Sequence, residues 1–269
     1  MDYLAPATLD EAYRALATED SRCLAGGQSL VALMNLGLVS PARLVSLRRI
    51  QALRGIDPQS DGSLRIGAMT THAELAALEV APPGHALLAQ AARVVAYPAV
   101  RAWGTIGGSV APADPAADYP VALVAADATI ELGSASGARR IAAHDFFRGL
   151  FETALSRGEI VTAIHVPPGP KDAGAAYEKL SLVAGDFAII SVAAIAGRTA
   201  QLAVGGCGPV PLRLAGIGVS DEALLKEGRT LAAKSDPPSD HRATAAYRRR
   251  VLPELIRRAV RTAIARTGS

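Results

Sequence analysis

Two short glycine-rich segments are the parts of this sequence whose residues could most readily do chemistry. They are Ala25-Gly26-Gly27-Gln28-Ser29, the first glycine loop, and Thr105-Ile106-Gly107-Gly108-Ser109, the second glycine loop. Glycine lets backbone N–H groups approach an anion because no Cβ stands in the way, and a serine hydroxyl adds a donor. Each segment alone is better explained as a turn without a ligand. Together they indicate two loops that hold one pyrophosphate through backbone dipoles, since neither contains a lysine or an arginine.

Neither loop matches a standard nucleotide-binding motif. The sequence contains no Gly-Lys-Ser/Thr of a Walker loop, and the loops lack the Gly-x-Gly-x-x-Gly spacing. Two carboxylates, Asp114 and Asp118, follow the second loop and could accept hydrogen bonds from ribose hydroxyls or an adenine amine. Helix capping around Pro115 explains one of the two about as well. The adenosine end of a dinucleotide and a helix cap therefore both remain open for this segment.

Other reactive residues are scattered and indicate no second site. The two cysteines, Cys23 and Cys207, are too few for a zinc or iron–sulfur site, and no pair of histidines has metal-ligand spacing. The motif Gly-x-Ser-x-Gly is absent, which disfavours a serine hydrolase. The arginines between residues 248 and 266 could bind nucleic acid. A solvated helix face or a docking surface for a partner subunit is favoured, because aromatic residues are rare.

The composition excludes several classes of protein. The 269 residues carry a net charge of +3 and only 4% are aromatic, so a nucleic-acid surface with base stacking is not expected. The first residues lack the charged and apolar regions of a secretory signal. The most continuous apolar run, residues 187–196, is well short of the ~20 residues that a bilayer span needs. We therefore expect a cytoplasmic protein without a membrane span.

The elements that must position the loops alternate between helix and strand. Thr8 with Glu11 and Thr71 with Glu74 have the spacing of helix capping boxes. Residues 97–118 are rich in turn signals. Apolar periodicity predicts helices over 86–96, 120–127 and 243–266, the last interrupted by Pro253. It predicts strands over 44–47, 64–68, 129–132, 160–166, 176–182, 189–196 and 201–204.

Two turn-rich segments predict the domain boundaries. Residues 53–63 are rich in Gly, Asp, Pro and Ser, and Pro167-Pro168-Gly169-Pro170 is the best linker candidate. We expect an α+β protein in three parts. The predicted parts are an N-terminal αβ subdomain (1–55), a middle α+β subdomain (56–168), and a C-terminal domain with an antiparallel sheet and a basic terminal helix (172–269).

The sequence resembles the FAD-binding medium subunits of molybdenum hydroxylases, the carbon monoxide dehydrogenase and xanthine dehydrogenase class. The segments that carry the resemblance occur in family order: 24–30, 66–72, 104–109, 113–118, 177–180 and 185–188. The resemblance implies a two-part FAD-binding module of the PCMH or vanillyl-alcohol-oxidase-like type, formed by the first two predicted parts. A small α+β C-terminal domain follows it.

The resemblance also implies which residues hold FAD. The glycine loops would bind the pyrophosphate, Asp118 the adenosine end, and Val161 the adenine side. Lys179 would be the polar contact from the C-terminal domain. Phe187 replaces a tyrosine that usually lies against the isoalloxazine, so the stacking face is kept and the phenol hydroxyl is lost. The implied cofactor-binding residues are Ala25, Gly26, Gly27, Gln28, Ser29, Leu30, Thr105, Gly107, Gly108, Ser109, Asp114, Asp118, Val161, Lys179, Asp186 and Phe187. No side chain is implied to be catalytic.

A relay between subunits is the function that the resemblance implies. A large molybdopterin subunit would hydroxylate the substrate, and a small subunit with two [2Fe–2S] clusters would deliver electrons to FAD on this chain, in a dimer of heterotrimers. FAD would pass them to an external acceptor. Two alternatives remain, a flavin-less scaffold subunit of the same fold and a self-sufficient flavin oxidoreductase. As a point test, Gly107→Val is expected to abolish FAD retention because its side chain would collide with the pyrophosphate.

Overall fold

Helices and strands alternate at the start of the chain, and antiparallel sheets follow. The computed structural model describes residues 1–267. Its strands are β1 (Asp2–Leu4), β2 (Ser21–Leu24), β3 (Arg43–Ser46), β4 (Ile56–Pro58), β5 (Leu64–Gly67), β6 (Thr129–Ser134), β7 (Gly137–Ala142), β8 (Phe147–Gly149), β9 (Glu152–Thr153), β10 (Ile160–Val166), β11 (Gly174–Leu180), β12 (Ile190–Ala196), β13 (Thr199–Gly205) and β14 (Leu212–Gly218). Its helices are α1 (Leu9–Leu16), α2 (Leu30–Asn35), α3 (His72–Ala76), α4 (Pro83–Val94), α5 (Pro98–Arg101), α6 (Ile106–Val110), α7 (Asp118–Ala125), α8 (Ala143–Phe146), α9 (Asp221–Lys234) and α10 (Ala245–Ala265).

The first sheet is parallel, with the strand order β1-β3-β2. Helix α1 begins at a capping box, in which Thr8 Oγ1 accepts from Glu11 N at 3.2 Å and the Glu11 carboxylate accepts from Thr8 N at 3.3 Å. The box predicted at Thr71 and Glu74 is also present, at the start of α3. Both predictions are confirmed, because a capping box depends only on residues three positions apart.

The second sheet is antiparallel, with the order β4-β5-β10-β6-β7. The predicted strand at 160–166 coincides with β10. Ile66, Ile130 and Ile164 are buried in one hydrophobic core together with Leu87 of α4 and Leu123 of α7. That core also includes Val45 of β3 and the partly buried Cys23 of β2, so the first and second sheets share apolar contacts.

The third sheet, β11-β12-β13-β14, is antiparallel and is covered on both faces. Ala193 and Ile195 of β12 belong to the core shared with α4 and α7. Their neighbours Val192 and Ala194 belong to a second core beneath α10. Because successive side chains of a strand point to opposite faces, a strand covered on both sides must be apolar throughout. This explains the continuous apolar run that the sequence shows here.

Helix α10 runs through Pro253, where the sequence predicted an interruption. A proline inside a helix removes one hydrogen bond and costs about 3 kcal/mol. Here α10 is packed along β11, β12 and α9, and a side chain on Gly228 of α9 would come within 2.6 Å of the Pro253 Cα. Tertiary contact of this kind offsets a local penalty. The turn-rich prediction for residues 97–118 was also incomplete, because two short helices, α5 and α6, lie within it.

Most basic residues of α10 form ion pairs. Arg258 contacts Glu178 at 2.6 Å and Arg261 contacts Asp221 at 2.7 Å, both at the surface. The expectation of a solvated face is wrong for Arg248, whose side chain is only 2% exposed. Acidic residues from outside the helix therefore offset much of the charge that the sequence concentrates in this helix.

Candidate functional site

The first glycine loop connects the end of β2 to the start of α2 and leaves a row of backbone donors free. In residues 1–267, the four consecutive N–H groups of residues 26–29 have no acceptor from the chain. Gly27 has φ of +74°, in the region that favours glycine. The Ser29 side chain makes no capping hydrogen bond. Free N–H groups in succession form a concavity for an anion, so this loop fits a pyrophosphate.

The second glycine loop uses its backbone donors within the chain. Ile106 N donates to Thr70 O at 3.0 Å and Gly107 N to Ala68 O at 2.9 Å. Gly108 N donates to the Thr105 hydroxyl at 3.2 Å, which caps α6. Of the two loops predicted to hold a pyrophosphate through backbone dipoles, only the first therefore has a row of free N–H groups in the described residues. The second loop instead contributes the shape of its backbone and the half-buried side chain of Ser109.

The two loops meet, although about 80 residues separate them in the sequence. A Cβ added at Gly26 would overlap the carbonyl oxygen of Trp103 and lie 2.8 Å from the Gly104 Cα. A Cβ added at Gly108 would lie 3.4 Å from the Ala25 Cβ. Glycine at position 26 lets the two backbones approach, because any Cβ there would overlap the other segment. The loops thus form one continuous wall, as a shared pyrophosphate requires.

Gly107 does not face this wall. A Cβ added there would lie 2.6 Å from the Ala68 Cβ, inside the core. The expectation that Gly107→Val would collide with a pyrophosphate is therefore wrong in its reason. A side chain at Gly107 would first disturb the packing of α6 against the segment after β5.

Asp118 and Lys179 form a buried ion pair. Lys179 Nζ lies 3.0 Å from Asp118 Oδ2, and the two side chains are 7% and 6% exposed. Lys179 Nζ also donates to Val94 O at 3.1 Å, and the Tyr177 hydroxyl donates to Asp118 Oδ1 at 2.8 Å. Burial raises the pKa of Asp118, and Lys179 opposes that rise. The pair joins α7 to β11, so these two predicted site residues contact each other across two predicted domains.

The remaining predicted residues lie in different surroundings. Asp114 accepts from Ala116 N at 2.9 Å, which is the local turn that the helix-cap interpretation favoured. Val161 is 5% exposed and lies at a β-bulge in β10, within the larger core. Asp186 Oδ1 accepts from Phe187 N at 2.7 Å. Phe187 is 46% exposed and offers an open aromatic surface.

The sequence analysis did not include His72 and Tyr119, which lie behind the second loop, among the site residues. His72 N donates to Gly104 O at 2.9 Å, and His72 Nδ1 lies 3.0 Å from the Tyr119 hydroxyl. Burial, and to a smaller extent the charge of Arg101, lower the pKa of His72 to about 4. The sequence signal was the capping box at Thr71, which identifies His72 as the first residue of a helix but says nothing about its contact with Gly104.

Cavities and metal chemistry do not point to another site. One cavity of about 520 Å³ lies beside Glu79, Arg93 and Arg266, and another of about 470 Å³ lies beside Pro167 and Arg198, both away from the glycine loops. In the described chain no group of three or more His, Cys, Asp or Glu side chains could hold a metal ion. Across residues 1–267, every helix is too short or too polar to span a lipid bilayer.

Comparison with known proteins gives matches along almost the whole chain. Residues 1–169 match the family described as FAD binding domain in molybdopterin dehydrogenase, and residues 175–263 match the CO dehydrogenase flavoprotein C-terminal domain. The chain is 36% identical to the glyceraldehyde dehydrogenase medium chain of Sulfolobus acidocaldarius, covering 96% of each chain. It is 35% identical to the carbon monoxide dehydrogenase medium chain of Afipia carboxidovorans, covering 98% of this chain and 97% of that one.

A solved structure shares the fold. Carbon monoxide dehydrogenase from Hydrogenophaga pseudoflava superposes with a TM-score of 0.93 at 33% identity, over 100% of this chain and 98% of that chain. The predicted α+β class, with a two-part FAD-binding module and a small C-terminal domain, is confirmed by these matches.

Proposed function

The chain belongs to the family of FAD-binding medium subunits of molybdenum-containing dehydrogenases, and from that premise we propose that it is the flavin relay of a heteromeric molybdenum hydroxylase. In this proposal, electrons reach the chain from the [2Fe–2S] clusters of a partner subunit and leave it for an external acceptor. Bound FAD supplies the two-electron redox chemistry, while the polypeptide supplies binding, orientation and electrostatics.

The contact between the two glycine loops is the observation that carries the proposal. Residues 26–29 supply four free N–H groups, and Trp103 and Gly104 close the wall against Gly26. Free N–H groups in succession form a concavity that suits a negatively charged group, so this run favours an anionic ligand. In the proposal this loop, with Ala25 and Leu30, holds the pyrophosphate. Thr105, Gly108 and Ser109 shape the other side of that wall, and Gly107 lies behind it against Ala68.

The other proposed cofactor contacts come from several separate helices, strands and loops. Asp118 and Asp114 face the adenosine end, Val161 borders the adenine, and Lys179 with Asp186 lies on the C-terminal side. The open ring of Phe187 stacks on the isoalloxazine, which needs only an aromatic face. In this proposal no side chain of the chain is catalytic, because electron transfer requires placement rather than an acid or a base.

The proposed partners are a large molybdopterin subunit and a small [2Fe–2S] subunit, in a dimer of heterotrimers. The chain has two cysteines, Cys23 and Cys207, whereas a [2Fe–2S] cluster takes four ligands. Burial raises the pKa of each thiol to about 12, which disfavours the thiolate that a cluster needs. The clusters of the proposed relay therefore belong to another subunit.

Absorbance of the purified full-length chain tests the proposal. We expect a flavin band after anaerobic purification with added FAD. The variant Gly26→Ala should bind FAD at least tenfold more weakly, because its methyl group would push the Trp103 carbonyl away and open the wall. The matched control is Gly208→Ala, where an added Cβ meets only ordinary contacts at 3.8 Å.

Further outcomes separate the alternatives. A wild-type chain without a flavin band would favour the flavin-less scaffold. Co-purification with subunits that carry molybdenum and iron–sulfur signals supports the relay. A flavin-loaded chain that purifies alone and turns over substrate would favour a self-sufficient flavin oxidoreductase. Full FAD occupancy in Gly26→Ala, with wild-type thermal stability, would contradict the role given to the contact between the loops.

A further inference from the structure

A cation lies against the exposed aromatic ring of the C-terminal domain. The Arg242 guanidinium lies over the ring of Phe187, with 5.4 Å from its Cζ to the ring centroid. Arg242 comes from the segment between α9 and α10, whereas Phe187 comes from the loop between β11 and β12. Phe187 nevertheless remains 46% exposed. One part of the ring is thus covered by a cation while the rest stays open to a planar group.

Arg242 keeps a positive charge that its neighbours do not cancel. Asp240 lies 3.9 Å from Arg242 Nη1, but that carboxylate already accepts two hydrogen bonds from Arg248, each at 2.9 Å. It also accepts from the backbone N–H groups of Arg242 and Ala243. Arg248 therefore neutralises Asp240, and Arg242 is the surplus charge of this cluster.

One nitrogen of Arg242 also lacks an acceptor. Its Nε is buried and has no hydrogen-bond partner within the described chain. Leaving a buried charged donor unmatched costs free energy, so such a donor needs a reason. Asp186, which precedes Phe187 in the chain, accepts from the N–H of Phe187, and no hydrogen bond joins it to Arg242 in residues 1–267. The unmatched donor and the open ring therefore occur together at one wall.

We infer that the charge of Arg242 stabilises the reduced flavin more than the oxidised flavin. This inference rests on the proposed function. Reduction by two electrons from the partner's clusters, with uptake of one proton, adds one negative charge to the isoalloxazine. A positive charge near the ring favours that form, and the effect is strong where water is partly excluded. Arg242 also gives this wall a donor where Phe187 has lost the hydroxyl of tyrosine.

The midpoint potential of the bound FAD tests the inference. The variants are Arg242→Met, which removes the charge, and Arg242→Lys, which keeps it. Arg250→Met is the matched control, because the Arg250 guanidinium also lies 5.4 Å from an aromatic centroid, that of Tyr247. The full-length flavin-loaded chain, or the complex with which it purifies, is equilibrated with redox dyes and followed by flavin absorbance. Binding of oxidised FAD is measured in parallel by fluorescence quenching.

We expect Arg242→Met to shift the two-electron equilibrium at least tenfold towards oxidised flavin, which is about 30 mV. Arg242→Lys and Arg250→Met should stay close to the wild-type potential. An unchanged potential in Arg242→Met, or an equal fall in Arg242→Lys, would overturn the inference, since charge would then not be the cause. Should Arg242→Met fail to fold, Arg242→Gln gives the same comparison with a polar side chain.

The failure of this inference is distinguishable from the failure of the proposed function. A wild-type chain that binds no FAD would contradict both the proposed function and this inference. A wild-type chain that binds FAD, with the same potential in all three Arg242 and Arg250 variants, would end only the inference about Arg242.

Discussion

His72 is the residue whose environment changes its chemistry most clearly. It is 5% exposed, lies against Gly104 and Tyr119, and is held neutral because burial lowers its pKa to about 4. An imidazole that cannot take a proton when folded opposes folding as soon as the unfolded chain can take one. The backbone next to the second glycine loop is therefore held by His72, whose protonation at low pH opposes folding.

This sensitivity gives a pH prediction. Above pH 6.5 His72 is neutral in both states, and between pH 6.5 and 4 only the unfolded state binds the proton, so stability falls as the pH falls. The loss reaches about 3 kcal/mol at most. Urea unfolding at several pH values measures how the free energy of unfolding changes with pH. Between pH 6.5 and 4 this free energy should fall less steeply in His72→Gln than in the wild type. His144→Gln, at an exposed position, is the control, and an equally steep fall in His72→Gln and the wild type would contradict the prediction.

Helix α10 shows how one buried cation fixes an element. Arg248 donates to the backbone oxygens of Ile189 and Gly206, and its Nη2 donates to both carboxylate oxygens of Asp240. These contacts connect α10 to the start of β12, to the turn after β13 and to the segment that holds Arg242. Cationic side chains are rarely buried unless they are paired in this way.

Removal of that cation is expected to loosen the C-terminal domain. Arg248→Met leaves the two backbone oxygens and Asp240 without their partner, which should lower the free energy of unfolding by about 3 kcal/mol. Urea denaturation measures this loss, with the exposed Arg250→Met as a control that should leave the midpoint in place. A loss below about 1 kcal/mol would show that α10 is held by apolar packing alone.

Across the whole molecule, the pair Asp118–Lys179 connects the FAD-binding module to the C-terminal domain. Tyr177 donates to the same carboxylate, and Gln90 of α4 accepts from Tyr177 N at 3.0 Å. The larger core includes side chains from the first, second and third sheets. The wall formed by the glycine loops and the wall formed by Phe187 therefore belong to parts that share both apolar and ionic contacts.

A double-mutant cycle tests this connection. Asp118→Asn and Lys179→Met should each cost about 3 kcal/mol, because each leaves a buried charge without its counterion. The double variant should cost clearly less than the sum of the two. The control cycle uses the exposed pair Asp172 and Arg198, with Asp172→Asn and Arg198→Met, whose effects should add. Additive effects in the buried pair would argue against ionic coupling between the domains.

Interactions between near neighbours in the chain determine much of this architecture, and the sequence alone predicts those parts. The capping boxes at Thr8 and Thr71 and the strand at 160–166 depend on residue types only a few positions apart, and their predictions are confirmed. Strand β14 and helix α9 were not predicted. Strand β14 is mostly exposed and contains two glycines, and α9 mixes polar and apolar residues, so both give weaker periodic signals.

Contacts between distant parts of the chain decided the remaining features. The sequence does not predict that Gly26 faces Trp103 while Gly107 faces Ala68. It also does not predict that only the first loop leaves its N–H groups free. Nor could a row of arginines show that Arg248 is buried. The physical reason is that capping and periodicity act within one turn or one strand. Burial, free donors and ion pairs arise where segments many tens of residues apart are packed together.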